Sequence, residues 1–221
     1  MRAMILCAGK GERMRPLTDK LPKPLLKIGD KPILQYHIEA LSSAGVKQIV
    51  INHARMGQQI EDYFGSGDEF AVSIQYSREG DEPLETGGGI RRALPLLGPE
   101  AFIVVNGDIC CDYDFSRLPH QPESKVHLVL VPNPPHNSSG DFSLNQGRLL
   151  NEGKDRYTFS GIGVYRPELF EQSEEGYFPL APLLRMAADK GEASAELHQG
   201  IWLDIGTPER LNQANKDLLR K

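Results

Sequence analysis

The sequence predicts an α/β fold in which a mixed, mostly parallel sheet is flanked by helices. Three observations carry that expectation. Apolar runs of strand length alternate with segments of helical periodicity through the first half of the chain, which is the pattern of βαβ units around a parallel sheet. The first apolar run ends at Gly9 and is followed by about twenty residues before the first helix, where ordinary βα connections take roughly 2–6. The length, 221 residues, suits one large domain spanning 1–221.

The elements follow in order. Ala3–Ala8 is a continuous apolar run and reads as a buried strand. Pro32–Ala44 places Ile33, Leu34, Ile38 and Leu41 at helical spacing, with a proline in the first turn and Gly45 as the stop. Gln48–Asn52 is a second buried strand, Gly57–Phe64 a short helix closed by Gly65, and Val72–Tyr76 a third strand. Gly87–Leu94 reads as a helix opened by glycines, and Phe102–Val105 as a strand running into Asn106-Gly-Asp108. Further strands are expected at Val126–Val131, Phe159–Tyr165 and Ile201–Asp204, with helices after Pro167, over Leu180–Lys190 and from Thr207, an N-cap followed by proline. The second half reads as more irregular and partly antiparallel. Pro132–Gly140 is the most linker-like stretch and reads as a surface loop.

Composition narrows the function. A net charge of -5 argues against a nucleic-acid groove or a polybasic membrane patch. Cys7, Cys110 and Cys111 have neither metal spacing nor a disulfide framework, which fits a reducing cytoplasm. The N-terminal apolar run is too short for a signal or a membrane span. Six histidines are scattered without metal spacing and read as structural or surface residues. Cys7 reads as a buried inert thiol. No coiled-coil or interface stripe chooses between monomer and homodimer.

The long first loop carries the chemistry. Gly9 and Gly11 follow a strand, where glycines let backbone N–H groups turn toward an anion, although the same pair alone fits a tight turn. Glu12 lies beside them. Arg13 has the fork to grip phosphate oxygens, and Lys23 is a point charge for another. The loop has neither the Walker G-K-[ST] nor the dinucleotide G-x-G-x-x-G, since position 14 is Met. Asp108 follows one strand, in the region where open α/β sheets bind ligands. Asp204 ends another and also fits a turn or cap. Mg²⁺ on a nucleotide needs only one or two carboxylates, with phosphates and water completing its octahedron.

The string Gly9-Lys-Gly-Glu-Arg-Met-Arg-Pro-Leu-Thr18 with Pro22-Lys-Pro-Leu25, joined to Asn106-Gly-Asp108 and Trp202-Leu-Asp-Ile-Gly-Thr207, resembles the sugar-1-phosphate nucleotidyltransferases. The likeness runs from Met4 to about Leu211. It implies a Rossmann-like nucleotide-diphospho-sugar transferase fold, a nucleoside triphosphate and a sugar 1-phosphate as partners, and Mg²⁺ on Asp108 and Asp204. It implies that Arg13, Lys23 and Asp108 are catalytic. It further implies that Gly9, Gly11, Glu12, Thr86, Gly87 and Gly88 lie against the nucleotide, the glycines admitting a flat base. Leu84-Glu-Thr-Gly-Gly-Gly89, Val50-Ile-Asn-His53 and Ser160-Gly-Ile162 are similar to the short members that use UTP and act on N-acetylmuramate 1-phosphate in cell-wall recycling.

Glu79 stands where relatives read the pyrimidine, and a carboxylate facing N3 would favour uracil or thymine. Asn106, Asp141, Glu152 and Gly161 fall where the family contacts the sugar phosphate. Asp141 reads equally as a turn aspartate, and Glu152-Gly-Lys154 departs from the family's Glu-Lys-Pro. The alternatives are thymidylyl or guanylyl transfer to glucose or mannose 1-phosphate and, outside enzymes, a silent nucleotide-sugar sensor, which typically loses the charged residues this chain keeps.

Overall fold

The computed structural model describes residues 1–218. The chain runs β1 (Arg2–Leu6), β2 (Lys27–Ile28), β3 (Lys31–Pro32), α1 (Ile33–Ser43), β4 (Gln48–His53), α2 (Gly57–Phe64), β5 (Ser73–Arg78), α3 (Glu85–Leu97), β6 (Phe102–Asn106) and β7 (Ile109–Cys111). It continues through β8 (Val126–Val131), β9 (Phe142–Asn145), β10 (Arg148–Leu150), β11 (Arg156–Tyr165), α4 (Ala181–Asp189), β12 (Ala193–Leu197), β13 (Trp202–Asp204) and α5 (Pro208–Leu218). Nine strands form the main sheet in the order β5-β4-β1-β6-β11-β8-β12-β10-β9. The first four are mutually parallel. β11 then enters antiparallel between β6 and β8.

Side chains alternate across the sheet with period two, so each strand feeds two cores. Ala3, Ile5, Ile49, Ile51 and Val105 face α1 and α2 and pack with Leu34, Ile38, Leu41 and Ile60. Met4, Val50, Val104, Leu128 and Leu130 face the other way, against Ile90 and Ala93 of α3 and Leu184 and Ala187 of α4. This two-sided burial explains why the strands read as continuous apolar runs.

The long loop after β1 is not structureless. Glu12–Met14 and Lys23–Leu25 are single 3₁₀ turns, and β2 and β3 pair with each other. Met14, Leu26 and Ile28 join Ile33, Ile205, Leu211 and Ala214 in a third apolar cluster, which ties the loop to α5.

The site lies where strand order reverses. From β1 the chain goes outward through β4 and β5, then returns to the other flank of β1 as β6. The segments after β1 and β6 therefore diverge from a common edge, the usual ligand crevice of an open α/β sheet.

Candidate active site

A cleft of about 680 Å³ opens at that edge. Gly9, Lys10, Gly11, Glu12, Arg13 and Lys23 line it from the loop after β1, and Asn106, Gly107 and Asp108 contribute its floor. Asn52, Glu82, Pro83, Glu85, Thr86 and Tyr177 line it as well, and Lys10 Nζ pairs with Glu82 Oε2 at 2.6 Å. Gly11 takes φ +66, and its carbonyl accepts a hydrogen bond from Thr18 Oγ1 at 2.7 Å, so the glycine bend is fixed from within the loop.

Gly107 has to be glycine. A Cβ there would lie 2.7 Å from Cys7 Sγ and 2.7 Å from the Leu6 carbonyl oxygen. That close approach sets Asp108 beside the end of β1. Lys23 Nζ donates to Asp108 Oδ2 at 2.6 Å, and its side chain is only 12% exposed. Lysine and carboxylate thus share the floor in a partly desolvated pair, where charge acts more strongly than in water. Cys7 beneath them is buried, which pushes its thiol far up, with the Asp108 charge adding to the effect. It is held neutral and is no nucleophile.

Asp204 arrives from the other half of the chain. β13 pairs antiparallel with β7, placing Asp204 opposite Ile109, and the Ile205 N–H donates to the Asp108 carbonyl at 2.7 Å. The backbone therefore brings Asp108 and Asp204 to neighbouring strand ends. Arg210 donates to Asp204 Oδ2, and His136 Nε2 stands 3.2 Å from Asp204 Oδ1. A Cβ on Gly206 would be 3.0 Å from Arg210 Nη1 and 3.6 Å from Arg13 Nη1, so both guanidinium groups converge on this corner. Among the described residues no group of three His, Cys, Asp or Glu side chains is arranged to hold a metal. Two carboxylates, one in the β6–β7 turn and one at the end of β13, fit the sparse donor set of nucleotide-bound Mg²⁺.

Gly161 and Asn106 also meet. β11 bulges between Phe159 and Ile162, and Gly161 takes φ +84 there. A Cβ on Gly161 would lie 2.6 Å from Asn106 Nδ2. Trp202 Nε1 donates to the Ser160 carbonyl at 2.9 Å and holds the bulge over the floor. Bulges of this kind re-aim a strand beside a site.

Other expected contacts are placed differently. Glu79 is buried behind the cleft wall. Its Oε1 accepts from Asn52 Nδ2 at 2.6 Å and its Oε2 from the Leu84 N–H at 2.7 Å, while Asn52 Oδ1 accepts from the Cys7 N–H at 2.8 Å. The carboxylate thus ties β1, β4 and the start of α3 together and does not line the cleft. Gly87 and Gly88 are buried against the 176–178 segment and do not face the cleft, while Thr86 lines it. Asp141 accepts from Asn137 Nδ2 at 3.1 Å and from the Phe159 N–H at 2.8 Å, so it anchors the 132–141 loop on β11. Glu152 lies in a separate hollow with Arg156, Arg185 and Asp189.

Sequence reasoning passed over His136, Arg210 and Tyr177. Asp141 helps deliver the first, since the loop it anchors carries His136 to Asp204. The spacing of Arg210 from Asp204 (i, i+6 across a strand–helix junction) gave no signal.

Residues 2–142 match the family model described as nucleotidyl transferase. The chain is 50% identical to the N-acetylmuramate alpha-1-phosphate uridylyltransferase of Neisseria meningitidis serogroup B, over 97% of this chain and 96% of that one. It is 34% identical to the mannose-1-phosphate guanyltransferase of Hypocrea jecorina, where 95% of this chain spans 62% of the longer protein. The fold is also that of a putative glucose-1-phosphate thymidylyltransferase from Bacillus anthracis, with a TM-score of 0.85 at 21% identity, covering 98% of this chain and 94% of that one.

Proposed function

The chain belongs to the nucleotidyl transferase family, and we propose that it transfers a uridylyl group from UTP to N-acetylmuramate α-1-phosphate, giving UDP-N-acetylmuramate and pyrophosphate. The observation that carries this reading is the 50% identity to the Neisseria uridylyltransferase, which extends over 97% of the chain and so takes in the cleft. Such an enzyme belongs to the salvage of cell-wall sugars. We take residues 1–221 to act as one domain in the cytoplasm, as a monomer or a homodimer. Among the described residues no helix is long and apolar enough to cross a membrane.

The reaction is a single displacement at the α-phosphorus. An oxygen of the sugar phosphate attacks, the bond to the bridging oxygen of the β-phosphate breaks, and pyrophosphate leaves with that oxygen. Catalysis rests on positioning and on charge neutralisation. In this reading the Gly9–Gly11 backbone and Glu12 lie along the triphosphate, and Arg13 grips the departing β- and γ-phosphates. Lys23, beside Asp108 on the floor, offsets charge that builds between the α-phosphate and the incoming sugar phosphate. Asn106, held under Gly161, orients the acceptor. Mg²⁺, when bound, neutralises triphosphate oxygens, and Asp108 and Asp204 would hold it, with His136 and Arg210 fixing the Asp204 carboxylate.

Pyrophosphate release tests the reading, with UTP, Mg²⁺ and a panel of sugar 1-phosphates. Fast release with N-acetylmuramate 1-phosphate and slow release with the glucose, mannose and N-acetylglucosamine compounds is expected. Preference for mannose 1-phosphate with GTP, or glucose 1-phosphate with dTTP, would replace the substrates and leave the displacement chemistry standing. No release with any pair would overturn the catalytic reading.

A further inference from the structure

The glycines that open α3 have a packing partner that the proposed chemistry leaves unused. A Cβ on Gly87 would lie 2.4 Å from the Phe178 ring, and one on Gly88 would lie 2.0 Å from the Gly176 carbonyl oxygen. The segment before α4 therefore sits in a notch that only glycine leaves open. Backbone bonds fasten it there. The Gly88 N–H donates to the Phe178 carbonyl at 3.0 Å, and the Phe178 N–H donates to the Leu84 carbonyl at 3.2 Å. The Leu180 N–H donates to Thr86 Oγ1 at 3.1 Å.

Tyr177 lies between these two seated residues. The residue is 70% exposed, yet it lines the cleft together with Pro83, Glu85 and Thr86. The hydroxyl donates to Glu85 Oε1 at 3.3 Å. Glu85 itself stands at φ +64, a left-handed conformation unfavourable for a residue with a Cβ. Strain of that kind collects at ligand clamps. A fastened seat, a strained partner and an exposed aromatic side chain thus coincide on one part of the cleft lining. Arg13 stands instead beside Gly206, and Lys23 on Asp108.

Among the described residues that line the cleft Tyr177 is the one aromatic side chain, so a nucleotide whose phosphates are held by Arg13 and Lys23 finds its stacking surface there. We propose that Tyr177 is the platform on which the nucleobase stacks, steadied by the hydroxyl bond to Glu85. The inference rests on the nucleotide reading above and adds to it the residue that binds the base. Every base offers a π face, so stacking sets affinity and tolerates base identity. Tyr177 on this account raises the affinity for the nucleoside part without choosing between UTP and CTP.

The test compares binding of UTP, CTP and inorganic tripolyphosphate to the full chain by calorimetry, together with KM and kcat. Tyr177→Ala should weaken UTP and CTP alike by about tenfold or more, the range of a lost base–aromatic stack. Tripolyphosphate affinity should stay unchanged, and kcat at saturating UTP should stay within about twofold, as expected when an interaction equal in ground and transition states is removed. Tyr177→Trp should restore binding, and Tyr177→Phe should lose less than the alanine variant. Wild-type UTP affinity in a folded Tyr177→Ala protein overturns the proposal, as does equal weakening of tripolyphosphate. A wild-type protein that binds UTP no better than tripolyphosphate overturns the nucleotide reading itself, and the platform with it.

Discussion

Glu79→Gln separates two roles for one carboxylate. If the side chain reads a base, the amide exchanges one acceptor oxygen for a donor and should alter the choice between UTP and CTP while leaving the fold intact. The structure assigns the opposite outcome. Both oxygens of Glu79 face donors, Asn52 Nδ2 at 2.6 Å and the Leu84 N–H at 2.7 Å, and the residue is buried. Gly89 presses on the same group, since a Cβ there would stand 2.5 Å from Glu79 Oε1. Whichever way the new amide turns, its NH₂ meets an N–H, so one buried donor loses its acceptor. That costs about 1–3 kcal/mol, more than the net value of the bond itself, because the unpaired group keeps its desolvation penalty. Urea unfolding followed by circular dichroism should show the loss as a lower midpoint at unchanged slope. The ratio of kcat/KM for UTP over CTP should remain that of the wild type. A variant of wild-type stability with a collapsed UTP preference would refute the anchoring role.

Three further outcomes are expected. Lys23→Ala should lower turnover by about 100-fold or more while the protein stays folded, the usual consequence of deleting one electrostatic stabiliser; steady-state pyrophosphate release reads it, and near-normal turnover would remove Lys23 from the chemistry. Gly161→Ala forces a Cβ into left-handed backbone, about 1–2 kcal/mol, and against Asn106, about 1–3 kcal/mol more; thermal unfolding should register the sum, with raised KM for the sugar phosphate as Asn106 is displaced. His37 on α1 is fully enclosed, and burial holds its pKa down at about 4, opposed by the Ile109 backbone bond and the Asp108 charge. Among the described residues its Nε2 has no hydrogen-bond partner. The unfolded chain takes up this proton below about pH 6.5 and the folded one only near 4, so this contribution to stability is complete above pH 6.5 and falls by about 3 kcal/mol toward pH 4. His37→Leu should flatten that part of the stability–pH curve, and an unaltered slope would show that another group governs it.

The parts of this molecule that could be read directly from residues are those whose signal is local. β8 spans Val126–Val131 and α2 spans Gly57–Phe64 as their periodicity predicts, because burial on both faces of a sheet or one face of a helix leaves its mark on adjacent residues. The pair β9–β10 and the strand β7 left no such mark, whereas β13 lies within the strand expected at Ile201–Asp204. β7 and β10 have three residues each, of mixed burial, and they are strands because of the partners they meet. That Gly9 to Arg13 and Lys23 line one cleft was legible for the same reason as β8, since they belong to one contiguous loop. The rest of the lining comes from segments far apart in the chain. A run of glycines announces that something approaches the backbone closely, and composition cannot say what. At Gly87 and Gly88 the visitor is Phe178 and the Gly176 carbonyl, not a base. At Gly89 it is the carboxylate of Glu79. The motif therefore seats the segment that carries Tyr177 and leaves room for the carboxylate that fixes Leu84. A substitution at these glycines should accordingly act first on the packing of α3, with any loss of nucleotide affinity following from the displaced strap.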